Sequence, residues 1–390
     1  MINTFKSYHL LTLILLIALA SVTGLLFLPA LPELDNYFGI SQTQAQQTIS
    51  IFLIGYCIGQ LPYGPLANRF GRKNTLYTGI LLSIFGSLLC YLSWNFPLLC
   101  LARFIQAIGA AVGLKMSFTI VGDVLSGKEA SKLVSLLSIA FGIMPGLAVA
   151  TGGFIVESFG WRYCFLFLSG YGAMIALLCT TLPETCKMRD PLALTKEKLF
   201  HGYKESFFSK HLLLHAFMVS LSTMTIYLFA TVAPYICLDR LKMTPTHFGI
   251  WNMLPACGLV IGALLSKTLS SRYQARRNIF YGITIVCLGI IIMTICFCIG
   301  YLTKETIFIS QFIIQSGYNL VWANSNVLAI AKSQDVSNAT TAVQFINVGG
   351  SVIATFIISL FSPTDPFLLP IAFGMIILTL FYLFYKTSKI

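Results

Sequence analysis

Twelve runs of predominantly apolar residues follow one another along this 390-residue chain, each close to the roughly 20 residues that cross a bilayer core. They fall at 10–31, 47–66, 75–94, 98–122, 131–156, 161–182, 211–238, 246–266, 278–301, 305–330, 337–362 and 367–386. In lipid such runs must satisfy their backbone internally, which leaves helices or closed barrels. The runs are too long for barrel strands and lack the alternation that a lipid-facing strand needs. The chain is expected to be an all-α membrane protein of twelve transmembrane helices. Composition agrees, because only 10% of residues are charged against about 25% in soluble proteins.

Lys6, the apolar residues after it and Ala18-Leu19-Ala20 resemble a cleavable leader, but the apolar stretch continues to Leu31. A retained helix is therefore expected. The net charge of +12 invites comparison with nucleic-acid binders, yet the basic residues are scattered among connections. Of the 25 Lys and Arg, only Arg162, Arg240, Lys242 and Lys304 fall on one side of the expected topology, while Arg103 and Lys115 lie within a helix. The others share the opposite side. By the positive-inside rule that side is cytoplasmic and carries both termini. No nucleic-acid partner is expected. The 11 cysteines show no metal-ligand spacing: Cys296 and Cys298 are one residue apart, with no adjacent His or acid. Neither metal nor cofactor is implied.

The runs divide six and six around the longest cytoplasmic connection, punctuated by Pro183, Pro191 and Gly202. Residues 1–182 and 211–390 are read as two six-helix bundles and 183–210 as the linker. Gly64-Pro-Leu-Ala-Asn-Arg69 after the second run has an echo in Gly262-Ala-Leu-Leu-Ser-Lys267 after the eighth. An echo near half the chain length points to a duplicated unit.

The densest motif is Gly64-Pro-Leu-Ala-Asn68-Arg69-Phe-Gly71-Arg72-Lys73. Small residues let helices approach closely in lipid, Asn68 is suited to cap a helix of the second bundle, and the basic cluster needs an acidic partner. Asp123, at the end of the fourth run, is the expected partner of Arg72. Leu101-Ala-Arg103-Phe-Ile-Gln106-Ala-Ile-Gly109 puts Arg103 and Gln106 on one face. Arg103 either faces a cavity or snorkels to the surface. Gly142-Ile-Met-Pro145-Gly146, followed by Gly152-Gly153, describes a closely packed, bendable helix.

Together these segments resemble the major facilitator superfamily, whose loop signature reads G-x-L-A-D-R-x-G-R-K. The ten residues from Gly64 match it except for Asn68 in place of the acid. The resemblance implies that Gly64, Asn68, Arg69, Gly71, Arg72 and Asp123 form a conformational latch, and that Gly142, Pro145, Gly146, Gly152 and Gly153 form the antiporter-type helix motif. With Phe27-Leu-Pro29-Ala-Leu-Pro32-Glu33 and Gly160-Trp161-Arg162, the chain is similar to drug:proton antiporters of the bicyclomycin-resistance (Bcr/CflA) type. Relatives carry an acid and a tyrosine where Leu25 and Phe27 stand, and a second proline where Val149 stands.

All 13 acids lie in loops or near helix ends, whereas Lys115 sits about 12 Å along its helix from Asp123. An anionic ligand group is the natural partner of a lysine so placed; snorkelling, or pairing with a carbonyl, is the alternative. Arg103, Gln106, Tyr318, Asn319 and Trp322 join Lys115 as candidate substrate-binding residues, and Asn324 and Asn326 add polarity to the tenth helix. His215 is expected at the surface. No H-E-x-x-H motif or activated nucleophile argues for an enzyme. The expectation is a monomeric, multi-pass secondary transporter of a bacterial inner membrane. It exports a small amphipathic or anionic substrate, drug-like or siderophore-like, by alternating access with protons as the coupling ion. Import of an anionic nutrient on the same fold stays open.

Overall fold

The computed structural model describes residues 7–125, 127–186, 188–195, 209–333 and 336–387, and only the backbone at 7, 128, 131, 132, 135, 336 and 337. Lys6, Lys187, Lys196, Glu197, Lys198, Gly202, Lys204, Glu205, Asp335 and Lys389 lie outside the described residues.

Secondary structure among the described residues is helical. The first set comprises α1 (Ser7–Leu25), α2 (Leu31–Phe38), α3 (Gln42–Gly59), α4 (Tyr63–Phe70), α5 (Arg72–Tyr91), α6 (Phe96–Ala110), α7 (Val112–Val124), α8 (Gly127–Phe159) and α9 (Arg162–Cys179). The second comprises α10 (Lys210–Pro234), α11 (Pro245–Trp251), α12 (Met253–Ser270), α13 (Ala275–Cys298), α14 (Lys304–Ile330), α15 (Val336–Ile358) and α16 (Leu368–Thr387). Ser41 and Thr303 close capping boxes at the starts of α3 and α14, and Asn95 caps α6 just before Pro97. Each cap satisfies backbone N–H groups that lipid cannot.

Several expected single runs are broken where proline removes a backbone donor. The first becomes α1, a short 3₁₀ turn at Leu28–Ala30, and α2. The second bends by 41° between α3 and α4, next to Pro62. Among the described residues ten helices are long and apolar enough to cross a membrane, and up to eleven with the bent pair counted as one. The helix that fails this measure is α14. Its 27 residues would extend about 40 Å, but Gln311, Gln315, Asn319 and Asn324 lower its apolarity. Ten or eleven of the twelve expected spans meet this measure among the described residues.

Glycine positions set how closely the helices approach. A Cβ at Gly55 or Gly59 of α3 would strike the Phe104 or Ile108 carbonyl of α6. In the second set, Gly258 and Gly262 of α12 meet the Phe312 and Ser316 carbonyls of α14 in the same way. The contact of Gly79 with Gly109 likewise recurs between Gly282 and Gly317. The two sets thus reuse one packing scheme at matching chain positions. They meet along two seams, α3 against α15 and α8 against α11 and α12.

Gly109→Val would drive side-chain atoms into the backbone at Ser83, and overpacking of this kind costs about 1–3 kcal/mol or more. A clear drop in detergent-solubilised melting temperature is expected, while Gly170→Ala, where a Cβ meets open space, should melt as the parent does. Equal melting of the two variants would show that the α5–α6 contact is not close-packed.

Candidate functional site

A narrow cleft of about 50 Å³ lies between the two sets of helices, room for water but well short of the roughly 300–1,000 Å³ that encloses a drug-sized ligand. The first set supplies Leu25 and Leu28, where α1 breaks, and Pro145, Gly146 and Val149 of α8. The second supplies Ile226, Phe229 and Ala230 of α10, Asn252, Pro255, Ala256 and Leu259 around α12, and Gln311 and Gln315 of α14. The lining carries no charge. Its polarity resides in amides: Gln311 and Gln315 are buried, and their side-chain oxygens have no hydrogen-bond partner. Such acceptors suit a ligand with hydroxyl or N–H donors. The sequence reading of this helix singles out Tyr318, Asn319, Trp322, Asn324 and Asn326, all further along it. The spacing of Gln311 and Gln315 along it was the available signal.

The expected binding residues are spread around this cleft and line none of it. Arg103 is fully buried and does not snorkel. Its guanidinium donates to the Thr23 carbonyl at 2.9 Å, the Gly24 carbonyl at 3.3 Å and Gln106 Oε1 at 2.7 Å, and lies 4.3 Å from the Phe52 ring centroid. Gln106 in turn donates to Ser87 Oγ at 2.8 Å. The pair ties α6 to α1 and α5. Tyr318 is buried with its hydroxyl 3.5 Å from Thr223 Oγ1, and its ring stacks on Trp322. Asn319 donates to the Leu259 carbonyl of α12. Asn324 bridges to Ser266, and Asn326 donates to the Trp322 carbonyl. Lys115 is half-buried, and its Nζ donates to Thr341 Oγ1 on α15 at 2.8 Å. The expectation for His215 is corrected: it is buried, with Nδ1 2.9 Å from the His211 carbonyl oxygen.

At the end of the bundle that carries the loop motif, Arg72 Nε donates to Asp123 Oδ2 at 2.9 Å. Asn68 does not cap a helix of the second set. Its Oδ1 accepts from the Arg72 guanidinium at 2.7 Å, and its carbonyl accepts from the Asp190 backbone at 2.9 Å. Gly71 adopts a φ of 95°, open to glycine and costly for other residues. Arg69 lies over the Phe70 ring. Glu184, not anticipated, accepts from the backbone N–H groups of Arg72 at 2.9 Å and Lys73 at 3.1 Å and so caps α5. Partial burial raises its carboxyl, but four backbone donors outweigh this and hold it below the usual glutamate range. In the α8 motif, Gly142 faces Val260, Pro145 and Gly146 wall the cleft, and Gly152 and Gly153 pass against the Leu26 and Pro245 carbonyls.

Two tests follow from this geometry. Arg103→Met orphans buried acceptors at about 1–3 kcal/mol each, so melting should fall sharply, with only partial recovery in Arg103→Lys. Normal melting with lost transport would instead make Arg103 a ligand of the cargo. Glu184→Gln should lower stability by about 1 kcal/mol at neutral pH. Because the folded-state pKa is depressed, the carboxylate's contribution is complete above the ordinary glutamate pKa and disappears as pH falls through the lower value. The gap between parent and variant should therefore close in acid, and a gap independent of pH would exclude the cap.

Residues 12–355 match the family profile described as Major Facilitator Superfamily. An uncharacterized transporter of Rickettsia bellii is 30% identical over 260 residues, 66% of this chain and 63% of the relative. The chloramphenicol resistance protein CraA of Acinetobacter baumannii is 25% identical, over 68% of this chain and 64% of its own. A bicyclomycin resistance protein homolog of Haemophilus influenzae is 24% identical, over 64% and 63%. These matches span under two thirds of the relatives' own length. Among solved structures, a D-xylose–proton symporter superposes with a TM-score of 0.77 over 96% of both chains at 15% identity, a likeness of fold. On its sequence profile and its helical architecture, the chain belongs to the Major Facilitator Superfamily.

Proposed function

We propose that this chain is a secondary active transporter that exports a small amphipathic molecule by alternating access, with protons as the coupling ion. The observation that carries the reading is the uncharged, amide-bearing cleft on the seam between two sets of helices. As the seam opens, its leucine, proline and phenylalanine walls receive an apolar cargo body, and Gln311 and Gln315 meet cargo donors. The resistance named for the CraA and bicyclomycin relatives supports a drug-like cargo. Residues 1–182 and 211–390 act as the two moving bundles, joined by 183–210, with both termini on the cytoplasmic side of a bacterial inner membrane. The chain works as a monomer. Arg72 and Asp123, with Asn68, Arg69, Gly64 and Gly71 around them, latch the cytoplasmic side.

Lys115 is the cation offered to an anionic group on the cargo, with Tyr318 and Trp322 as a stacking face. Import of an anionic nutrient is the second reading, favoured by Lys115 and by Leu25 and Val149 at positions where relatives carry an acid and a proline.

Inverted vesicles carrying the chain should accumulate chloramphenicol only with an acidic interior, and a protonophore should abolish the accumulation. Salicylate uptake should fall at least about tenfold in Lys115→Met, as loss of one charge-assisted contact predicts, while uptake of uncharged chloramphenicol persists. Gradient-independent accumulation would remove proton coupling, and accumulation confined to right-side-out vesicles would make the chain an importer.

A further inference from the structure

The two sets of helices are joined at both ends of the seam, but by different chemistry. At the end away from the loop motif, Tyr235 donates to Asp35 at 3.3 Å, Gln42 to Asp239 at 3.3 Å, and the Thr246 backbone to Glu157 at 2.9 Å. Along α3 and α7 against α15, Ser50 donates to Thr355 at 3.0 Å and the Cys57 thiol to the Phe345 carbonyl at 3.5 Å. Nearest the loop motif comes Lys115, donating to Thr341 at 2.8 Å. Of these contacts on the α15 seam, this one has a charged donor.

The seat of that donor is equally specific. A Cβ added to Gly64 would lie 2.7 Å from Lys115 Nζ and 3.0 Å from Cε. The ammonium therefore rests on the bare Cα of the first glycine in the loop motif. Among the described residues no carboxylate lies within ion-pair distance of Lys115. A hydroxyl is a weaker acceptor for an ammonium than an anionic oxygen, which adds direct charge attraction to the hydrogen bond.

We propose that Lys115 is a strut between the two sets of helices, seated on Gly64, and that an anionic group on the cargo releases it by taking the ammonium from Thr341. The release half rests on the reading above that Lys115 receives such a group; the strut half does not. Cargo that competes for one cation shifts the conformational population by its preference for the unstrutted state, with no further switch required. Gly64 is then required for what it leaves vacant rather than for helix packing alone.

Cys57 reports on the same seam: it is buried, and its thiol bonds to Phe345 one turn along α15 from Thr341. Alkylation of Cys57 is read by mass spectrometry in the purified full chain, with Cys186 of the linker as internal reference. Thr341→Val and Gly64→Ala should each raise the Cys57 rate about fivefold without ligand, the population change expected when one hydrogen bond is lost. Thr341→Ser, which keeps the hydroxyl, should restore the parent rate and so separates the strut from a folding defect. Salicylate should raise the rate in the parent, add little in Thr341→Val and have no effect in Lys115→Met. An unchanged rate in both Thr341→Val and Gly64→Ala overturns the strut. A raised rate in those variants, with salicylate bound to the parent by equilibrium dialysis yet without effect on Cys57, overturns the release. Failure of salicylate to bind overturns the release together with the anionic-cargo reading, and leaves the strut standing.

Discussion

Inside a bilayer a polar group has no water to turn to, so its partner must come from the protein. The packing follows from that constraint. Helices of this chain meet where glycine exposes a carbonyl of the neighbour, at Gly55 and Gly59 in the first set and Gly258 and Gly262 in the second. Larger polar side chains sit where a helix break or a neighbouring helix offers acceptors. Arg103 shows the limit of what this arrangement can hold: a guanidinium, fully buried, with carbonyls, one amide and three aromatic rings in place of a carboxylate. An arginine can be held this way because its planar charge accepts ring faces and several in-plane acceptors at once. Its neighbours Phe27 and Gly24 belong to the segment where α1 breaks, so the site is held with apolar and backbone groups.

Much of the fold was legible because apolar runs of spanning length are a strong signal, and the run boundaries lie close to the helix ends. The breaks were less legible. Pro29, Pro32 and Pro62 stand in plain view, but proline within a membrane helix can bend it, end it or be absorbed, and neighbouring helices decide which. The polar helix α14 was found as a run, yet its inward face was read at Tyr318, Asn319 and Trp322, while the cleft uses Gln311 and Gln315, nearer the start of the same helix. Depth along a helix is not encoded by polarity alone.

At the loop motif the local pairing of Arg72 with Asp123 could be expected from charge and topology. Its third partner could not. Glu184 lies over a hundred residues away in sequence, in the connection after α9, and reaches α5 because Lys73 caps the end of α9 by donating to the Thr180 and Leu182 carbonyls at 2.8 and 3.1 Å. The two helix ends are thereby capped by each other's flanking residues. His215 was misjudged for a related reason. Its position at the start of a helix suggested water, but α10 packs against α14, α15 and α16, and the histidine lies buried in its first turns.

The polarity of α14 has a consequence for how the protein is made. A translocation channel releases a helix into lipid according to its apolarity, and single polar residues near the centre weigh against release. With Gln311, Gln315, Asn319 and Asn324 along it, α14 is a poor candidate to enter alone. Its partners are α12 and α13, which supply the Leu259 carbonyl, Ser266 and Asn278 to its amides and precede it in the chain. Those two helices emerge first and are the more apolar, so they form a template already in the membrane when α14 arrives. The order of synthesis thus matches the order in which hydrogen-bonding partners are needed, and α14 enters as the third member of a bundle rather than as a solitary span.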